Sequence, residues 1–172
     1  TGIQLGPTGA IAVNEHMETN IPGIYSAGDC CESYHRINGK PVHYPLGDVA
    51  NKHGRVAGAN IGGQDFTFPG IVGSNCFKVF ALEVAGTGLT EKESKAAGFD
   101  PVSVTIQGIS KPHSFPGSEK LWLRLVADKN SGRLLGAQGI GKDGVVSRIN
   151  VLAAALTAGL PVQELAYIDL AY

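Results

Sequence analysis

No apolar run in these 172 residues approaches the ~20 needed to span a bilayer, and no signal-peptide pattern is visible. Excess charge is missing too. Fourteen Lys and Arg stand against fifteen Asp and Glu, a net charge of −1, so no basic field draws nucleic acid or an anionic membrane. Cysteine is scarce. Three residues, two of them adjacent, argue against a disulfide scaffold and fit a reducing cytoplasm, where the protein is expected to reside. No initiator Met precedes Thr1, and no polar tail follows the helix-like segment before Tyr172, so the chain reads as a piece of a longer protein. What is present is a globular composition, 43% hydrophobic and 17% charged, with 24 glycines that no low-complexity tract explains. They belong in turns and close backbone contacts.

Local patterns divide the chain in two. Ala10–Val13 and Ile24–Ala27 read as short strands, and residues 30–47 hold too many breakers for a regular element. A helix is predicted from Asp48, its N-cap, to Ile61, with Gly62-Gly63 ending it. Ala50, Gly54, Gly58 and Gly62 recur every fourth residue, a small-residue face that invites close approach. Residues 64–70 read as a linker. Beyond it, 73–89 is β-rich, Thr90 and Glu93 form a capping box, and a short helix stops at Gly98. Strands follow at 102–106, at 121–126 by alternation, and at 133–140 after a turn at 128–132. Val145, Ile149, Leu152 and Leu156 make a helical stripe, Gly159 and Pro161 end it, and a last short helix spans 162–167. The second half is thus an α+β domain with an antiparallel sheet.

The most informative stretch is Thr19–Asp29. A turn (Asn20, Pro22, Gly23) feeds an apolar strand that ends on Gly28, and a carboxylate follows at once. Gly28 admits a ligand close to the backbone, and Asp29 accepts hydrogen bonds from ligand hydroxyls. This stretch resembles the second flavin-contact motif of the FAD-dependent pyridine nucleotide-disulfide oxidoreductases. Residues 8–30, 45–63, 78–104, 132–141 and 149–159, in that order, are similar to the branch of coenzyme A-disulfide reductases, NADH oxidases and per- and polysulfide reductases.

The resemblance implies an α/β to α+β architecture: the C-terminal part of an FAD-binding domain (1–63), the linker (64–70) and a dimerisation domain (71–172), truncated at its C-terminus. It implies that Asp29 holds the ribityl chain of FAD beside Gly28. Pro45, Leu46 and Gly47 would shape the loop against the flavin ring, and the helix start with Ala50 and Asn51 would face it. Unpaired amides at a helix start stabilise negative charge on a reduced flavin. Asp48, as cap, would compete for those amides. The implied parent is a homodimer passing electrons from NAD(P)H through FAD to a cysteine-centred disulfide, a coenzyme A or sulfur substrate, or oxygen. The family's reactive cysteine, first GxGxxG and NAD(P)H domain are not among these residues, so no catalytic residue and no metal is assigned here. The fragment alone is expected to be a poor flavin binder. A non-catalytic dimerisation module remains the alternative.

Three further patterns carry weaker expectations. Cys30-Cys31 with His35 and His43 fits no zinc spacing, and the two thiols read as small side chains near the flavin groove. Gly139–Gly144 fits GxGxxG, with Glu164 about 20 residues on. The preceding strand reads as the return arm of a hairpin, and no strand follows the helix, so a tight strand-to-helix turn is the expectation over nucleotide binding. In the loop 111–117, Ser114-Phe115 stand where the coenzyme A-disulfide branch often carries two tyrosines, which weakens strict specificity for that disulfide, and His113 reads as a solvated loop residue. Leu152 and Leu156 fit a subunit interface and a core equally well.

Overall fold

The computed structural model describes residues 2–171, so the expected limits at Thr1 and Tyr172 lie outside the described residues. The chain divides into two compact units at Ile71/Val72. The first is built on turns. The buried Glu32 carboxylate accepts the Thr8 amide (2.8 Å) and the Thr8 hydroxyl (2.6 Å), pinning the turn at residues 6–10. The strands expected at Ala10–Val13 and Ile24–Ala27 are reduced to isolated bridges, Leu5 with Ile11, Ile11 with Cys31, and Glu18 with Tyr25. Positive φ at Gly9 (85°) and Met17 (65°) bounds the first stretch, and at Gly23 (77°) and Gly28 (85°) the second, which keeps both extended runs short. The breaker-rich stretch 30–47, expected to be irregular, instead forms a small antiparallel hairpin, β1 (Ser33–His35) with β2 (Lys40–Val42). Gly39 (φ 68°) sits in its turn, and a two-stranded ribbon leaves each strand an outer side where Pro41 needs no ladder donor.

Helix α1 (Gly47–Ile61) starts one residue earlier than expected. Its N-cap is Leu46, not Asp48, and Leu46 offers no side-chain cap. Asp48 lies inside the first turn, where its carboxylate pairs with Lys52 at 3.1 Å, because i, i+4 partners face each other on a helix. Val49, His53, Val56 and Ala57 form the buried stripe and pack with Met17, Phe68 and Ile71. The small-residue face behaves otherwise than expected. A Cβ on Gly54 or Gly58 would meet nothing within 4 Å among the described residues, whereas one added to Gly28 would lie 3.5 Å from the Ala50 Cβ at the head of this face. Residues 64–70 are tied to the first unit: Asn60 bonds both the amide and the carbonyl of Phe66, and Phe68 is buried in the core.

The second unit is a five-stranded antiparallel sheet, order β3-β4-β7-β6-β5. Its strands are β3 (Asn75–Val79), β4 (Leu82–Gly88), β5 (Pro101–Ile109), β6 (Lys120–Asp128) and β7 (Leu134–Gly141). Thr90 and Glu93 make the capping box of α2 (Glu91–Ala96) reciprocally. Glu91 is held well below the usual carboxylate range, to about 2, by bonds from Ser103, Lys95 and Arg124. Helix α3 (Val145–Ala158) covers β4 and β7 with Val145, Ile149, Leu152, Ala155 and Leu156, all buried. Leu152 and Leu156 are therefore core residues, the second of the two roles that the sequence left open. The last helical segment, Val162–Tyr167, is a 3₁₀ helix. On the sheet face turned away from Gly139 and Gly141, Phe77, Val84, Ile140 and Trp122 stand in one cross-strand row, and Phe77, Ile140 and Trp122 are exposed.

Candidate functional site

Gly28 and Asp29 lie in the turn that faces the start of α1. Gly28 adopts φ 85°, a conformation open to glycine at little cost, and a Cβ there would sit 3.5 Å from the Ala50 Cβ. Asp29 is exposed, and its carboxylate is free of hydrogen bonds among the described residues. Its backbone carbonyl accepts from His43 Nε2 at 2.7 Å, which ties this turn to the connection between β2 and α1. That connection carries Tyr44, Pro45, Leu46 and Gly47. Because Leu46 is extended and supplies no cap, the first intrahelical bond is Ala50 N–H to Leu46 C=O, and the amides of residues 47–49 precede it. With Asp48 turned to Lys52, the expected competition from its carboxylate is relieved. Gly28 faces Ala50 with room for no more than a Cβ between them, Asp29 is next in the chain, and Pro45, Leu46, Gly47 and Asn51 belong to the same helix start.

Beneath this surface lies a residue that sequence reasoning missed. His53, 1% exposed, accepts the Gly28 amide at Nδ1 (3.3 Å) and meets Ser33 Oγ through Nε2 (3.0 Å). Its ring stands edge-on to Phe68 with centroids 4.6 Å apart. Burial lowers its pKa from the ordinary 6.5. Cys31 Sγ lies 3.4 Å from Nδ1 and also donates to the Gly28 carbonyl. Burial and the neighbouring Cys30 push the Cys31 thiol up from 9.0 to about 11. The signal for His53 was available: it falls between Val49 and Val56-Ala57 on the apolar stripe, so a polar ring there must find partners inside.

The remaining candidates resolve on geometry. Cys30 is exposed, with Sγ near Ser26 Oγ (3.3 Å), whereas Cys31 is buried, and both thiols are free. His35 is buried in the hairpin, and no cluster of three metal-ligating side chains forms among the described residues. The first three residues of the GxGxxG at Gly139–Gly144 are the end of β7, a strand antiparallel to both its neighbours. At the start of α3, Glu83 Oε2 already accepts the Val145 amide at 3.0 Å, where a dinucleotide would place its phosphate. Gly139 and Gly141 serve packing: a Cβ on the former would lie 2.7 Å from Val145, and on the latter 2.6 Å from Leu121. Glu164 is an exposed residue of the 3₁₀ helix. The loop 111–117 is tied by Lys111 to Asp143 (3.2 Å), and His113, Ser114 and Phe115 are exposed.

A turn-rich first unit and, in the second, a helix-backed antiparallel sheet make this a mixed α/β chain of two units. The chain belongs to the pyridine nucleotide-disulphide oxidoreductases: the model of their dimerisation domain matches residues 75–171, and that of the pyridine nucleotide-disulphide oxidoreductase domain matches 1–54. It is 43% identical over 171 residues to an NAD(P)H sulfur oxidoreductase (CoA-dependent) of Pyrococcus furiosus, covering 99% of this chain and 38% of that protein. A coenzyme A disulfide reductase of Staphylococcus aureus is 35% identical, with 100% and 39% covered. The solved structure of an NAD-dependent persulfide reductase from A. fulgidus superposes with a TM-score of 0.97 at 43% identity, covering 99% of this chain and 32% of that one. The chain thus spans about two fifths of the length of the curated relatives it matches. No helix among the described residues is long and apolar enough to cross a membrane.

Proposed function

We propose that this chain is the flavin-facing and subunit-joining part of a homodimeric NAD(P)H-dependent flavoprotein. The observation that carries the reading is the free Asp29 carboxylate beside a side-chain-less Gly28, opposite an uncapped helix start. The Asp29 carboxylate accepts hydrogen bonds from the ribityl hydroxyls of FAD, and Gly28 lets that chain lie against the backbone. Pro45, Leu46 and Gly47 shape the wall toward the ring, with Ala50 and Asn51 flanking it. The open amides at residues 47–49 place partial positive charge where a reduced flavin gathers negative charge. FAD, when bound, supplies the two-electron carrier between nicotinamide and acceptor.

The acceptor class follows from the relatives: a coenzyme A-linked disulfide, a persulfide or other sulfur species, or oxygen. Ser114-Phe115 provide no phenol for a thiolate, which favours a broader sulfur acceptor over strict coenzyme A-disulfide specificity. NAD(P)H and the reactive cysteine belong to other parts of the parent, and the free thiols fit a reducing cytoplasm. A visible spectrum of the full-length protein tests the reading: flavin absorbance is expected, and Asp29→Ala should lose most of it on dialysis. A colourless parent that FAD does not reconstitute would sink the proposal.

A further inference from the structure

Resting on that flavin reading, we propose that His53 is a positioning residue for the flavin-facing turn. Its neutral ring fixes the Gly28 amide through Nδ1 and is itself fixed on Ser33 through Nε2–H. The tautomer follows from donor chemistry. An amide can only donate, so Nδ1 must present its lone pair to Gly28 at 3.3 Å. The ring proton is then on Nε2 and is donated to Ser33 Oγ at 3.0 Å. The other neighbour of Nδ1 is Cys31 Sγ at 3.4 Å, whose thiol proton goes to the Gly28 carbonyl, and the edge-on Phe68 ring at 4.6 Å and burial to 1% close off the rest of the ring. Cys31 is the titratable group facing it, and that thiol stays protonated through the neutral range. Ser33, Phe68 and the Gly28 amide carry no charge.

The adjacent peptide is held by the opposite device. His43 donates Nε2–H to the Asp29 carbonyl at 2.7 Å, a bond that an imidazolium makes as well as a neutral ring. Two imidazoles thus hold consecutive residues, one as acceptor and one as donor. Only the acceptor is destroyed by protonation, because a proton on Nδ1 would face the Gly28 N–H. Gly28 at φ 85° has no side chain of its own, and the His53 bond is what satisfies its N–H, while its carbonyl is held by Cys31.

The test uses the full-length protein and reads FAD dissociation by flavin fluorescence between about pH 8 and about pH 5, spanning ordinary histidine titration. His53→Phe keeps an aromatic ring but leaves a buried amide unpaired, and its FAD affinity should fall about tenfold or more. His53→Gln restores an acceptor that does not titrate. It should bind FAD within about threefold of wild type, a fraction of one hydrogen bond's worth, with no acid loss, while the wild type releases FAD on acidification. His53→Phe binding FAD as wild type does, or His53→Gln losing FAD with acid as wild type does, overturns the inference and leaves the flavin reading standing. Wild-type protein that holds no FAD at any pH overturns both. If His53→Phe does not fold, nitrogen-15 NMR of the wild-type histidines still decides: protonated Nε2 with bare Nδ1 supports the proposal, and the other tautomer overturns it.

Discussion

His53 couples the interior of the first unit to its surface, and it leaves a signature in stability as well as in binding. Its folded pKa lies below the unfolded 6.5, so the unfolded chain takes up a proton first as pH falls. The sign is therefore fixed: the full contribution is present above pH 6.5 and erodes as pH drops toward the folded pKa, at up to about 1.4 kcal/mol per pH unit. Cys31 acts at the other end. Its thiol ionises at about 11 in the fold against 9.0 unfolded, so stability declines as pH rises from 9.0 toward 11. Urea titrations at stepped pH should show both flanks, and His53→Gln should flatten the acid one while leaving the alkaline one. An acid flank unchanged in His53→Gln would assign it to other groups.

At the scale of elements, capping and packing decide what each segment tolerates. In α2 the Thr90 side chain accepts the Glu93 amide at 3.2 Å, and Thr90→Ala should cost about 1 kcal/mol in thermal or urea unfolding. One turn away, Ser94 is fully buried with no partner for its hydroxyl, so Ser94→Ala should be neutral or stabilising by up to about 1 kcal/mol. Opposite signs within one six-residue helix would establish that the cap, not burial of hydroxyls, holds it. Gly139→Ala should destabilise by about 1–3 kcal/mol, because the added carbon meets Val145 at 2.7 Å and Leu123 at 2.9 Å. That glycine is part of a nucleotide-like pattern, yet its absent side chain makes room for α3 rather than for a phosphate.

For the whole molecule, the uncovered sheet face is where subunit joining is expected. Trp122 and Ile140 are neighbours, each 41% exposed, and Phe77, 55% exposed, follows beyond Val84 in the same row on the face that α3 does not cover. Apolar residues gathered in this way mark contact surfaces. Sedimentation of the full-length protein at micromolar concentration should give a dimer, and Trp122→Glu should shift it toward monomer with the far-ultraviolet spectrum unchanged. A Trp122→Glu protein that stays fully dimeric would move the interface elsewhere in the chain. The isolated 172-residue chain should bind flavin poorly even so, because it spans about two fifths of its relatives and carries one flavin-contact motif.

The sequence by itself determined the elements whose signals are local. The Thr90–Glu93 cap, the β6–β7 hairpin and the 3.6-residue stripe of α3 are each written within a few neighbouring residues, and each formed as read. It also determined the family, because the motif at Thr19–Asp29 and the segments after it recur in order. Tertiary structure decided what depends on partners far along the chain. The stretches expected as strands before Gly28 met single partners, Ile11 at Leu5 and Cys31 and Tyr25 at Glu18, and so stayed bridges. Gly28 found its anchor in a histidine twenty-five residues away, a bond between two segments that no local pattern encodes.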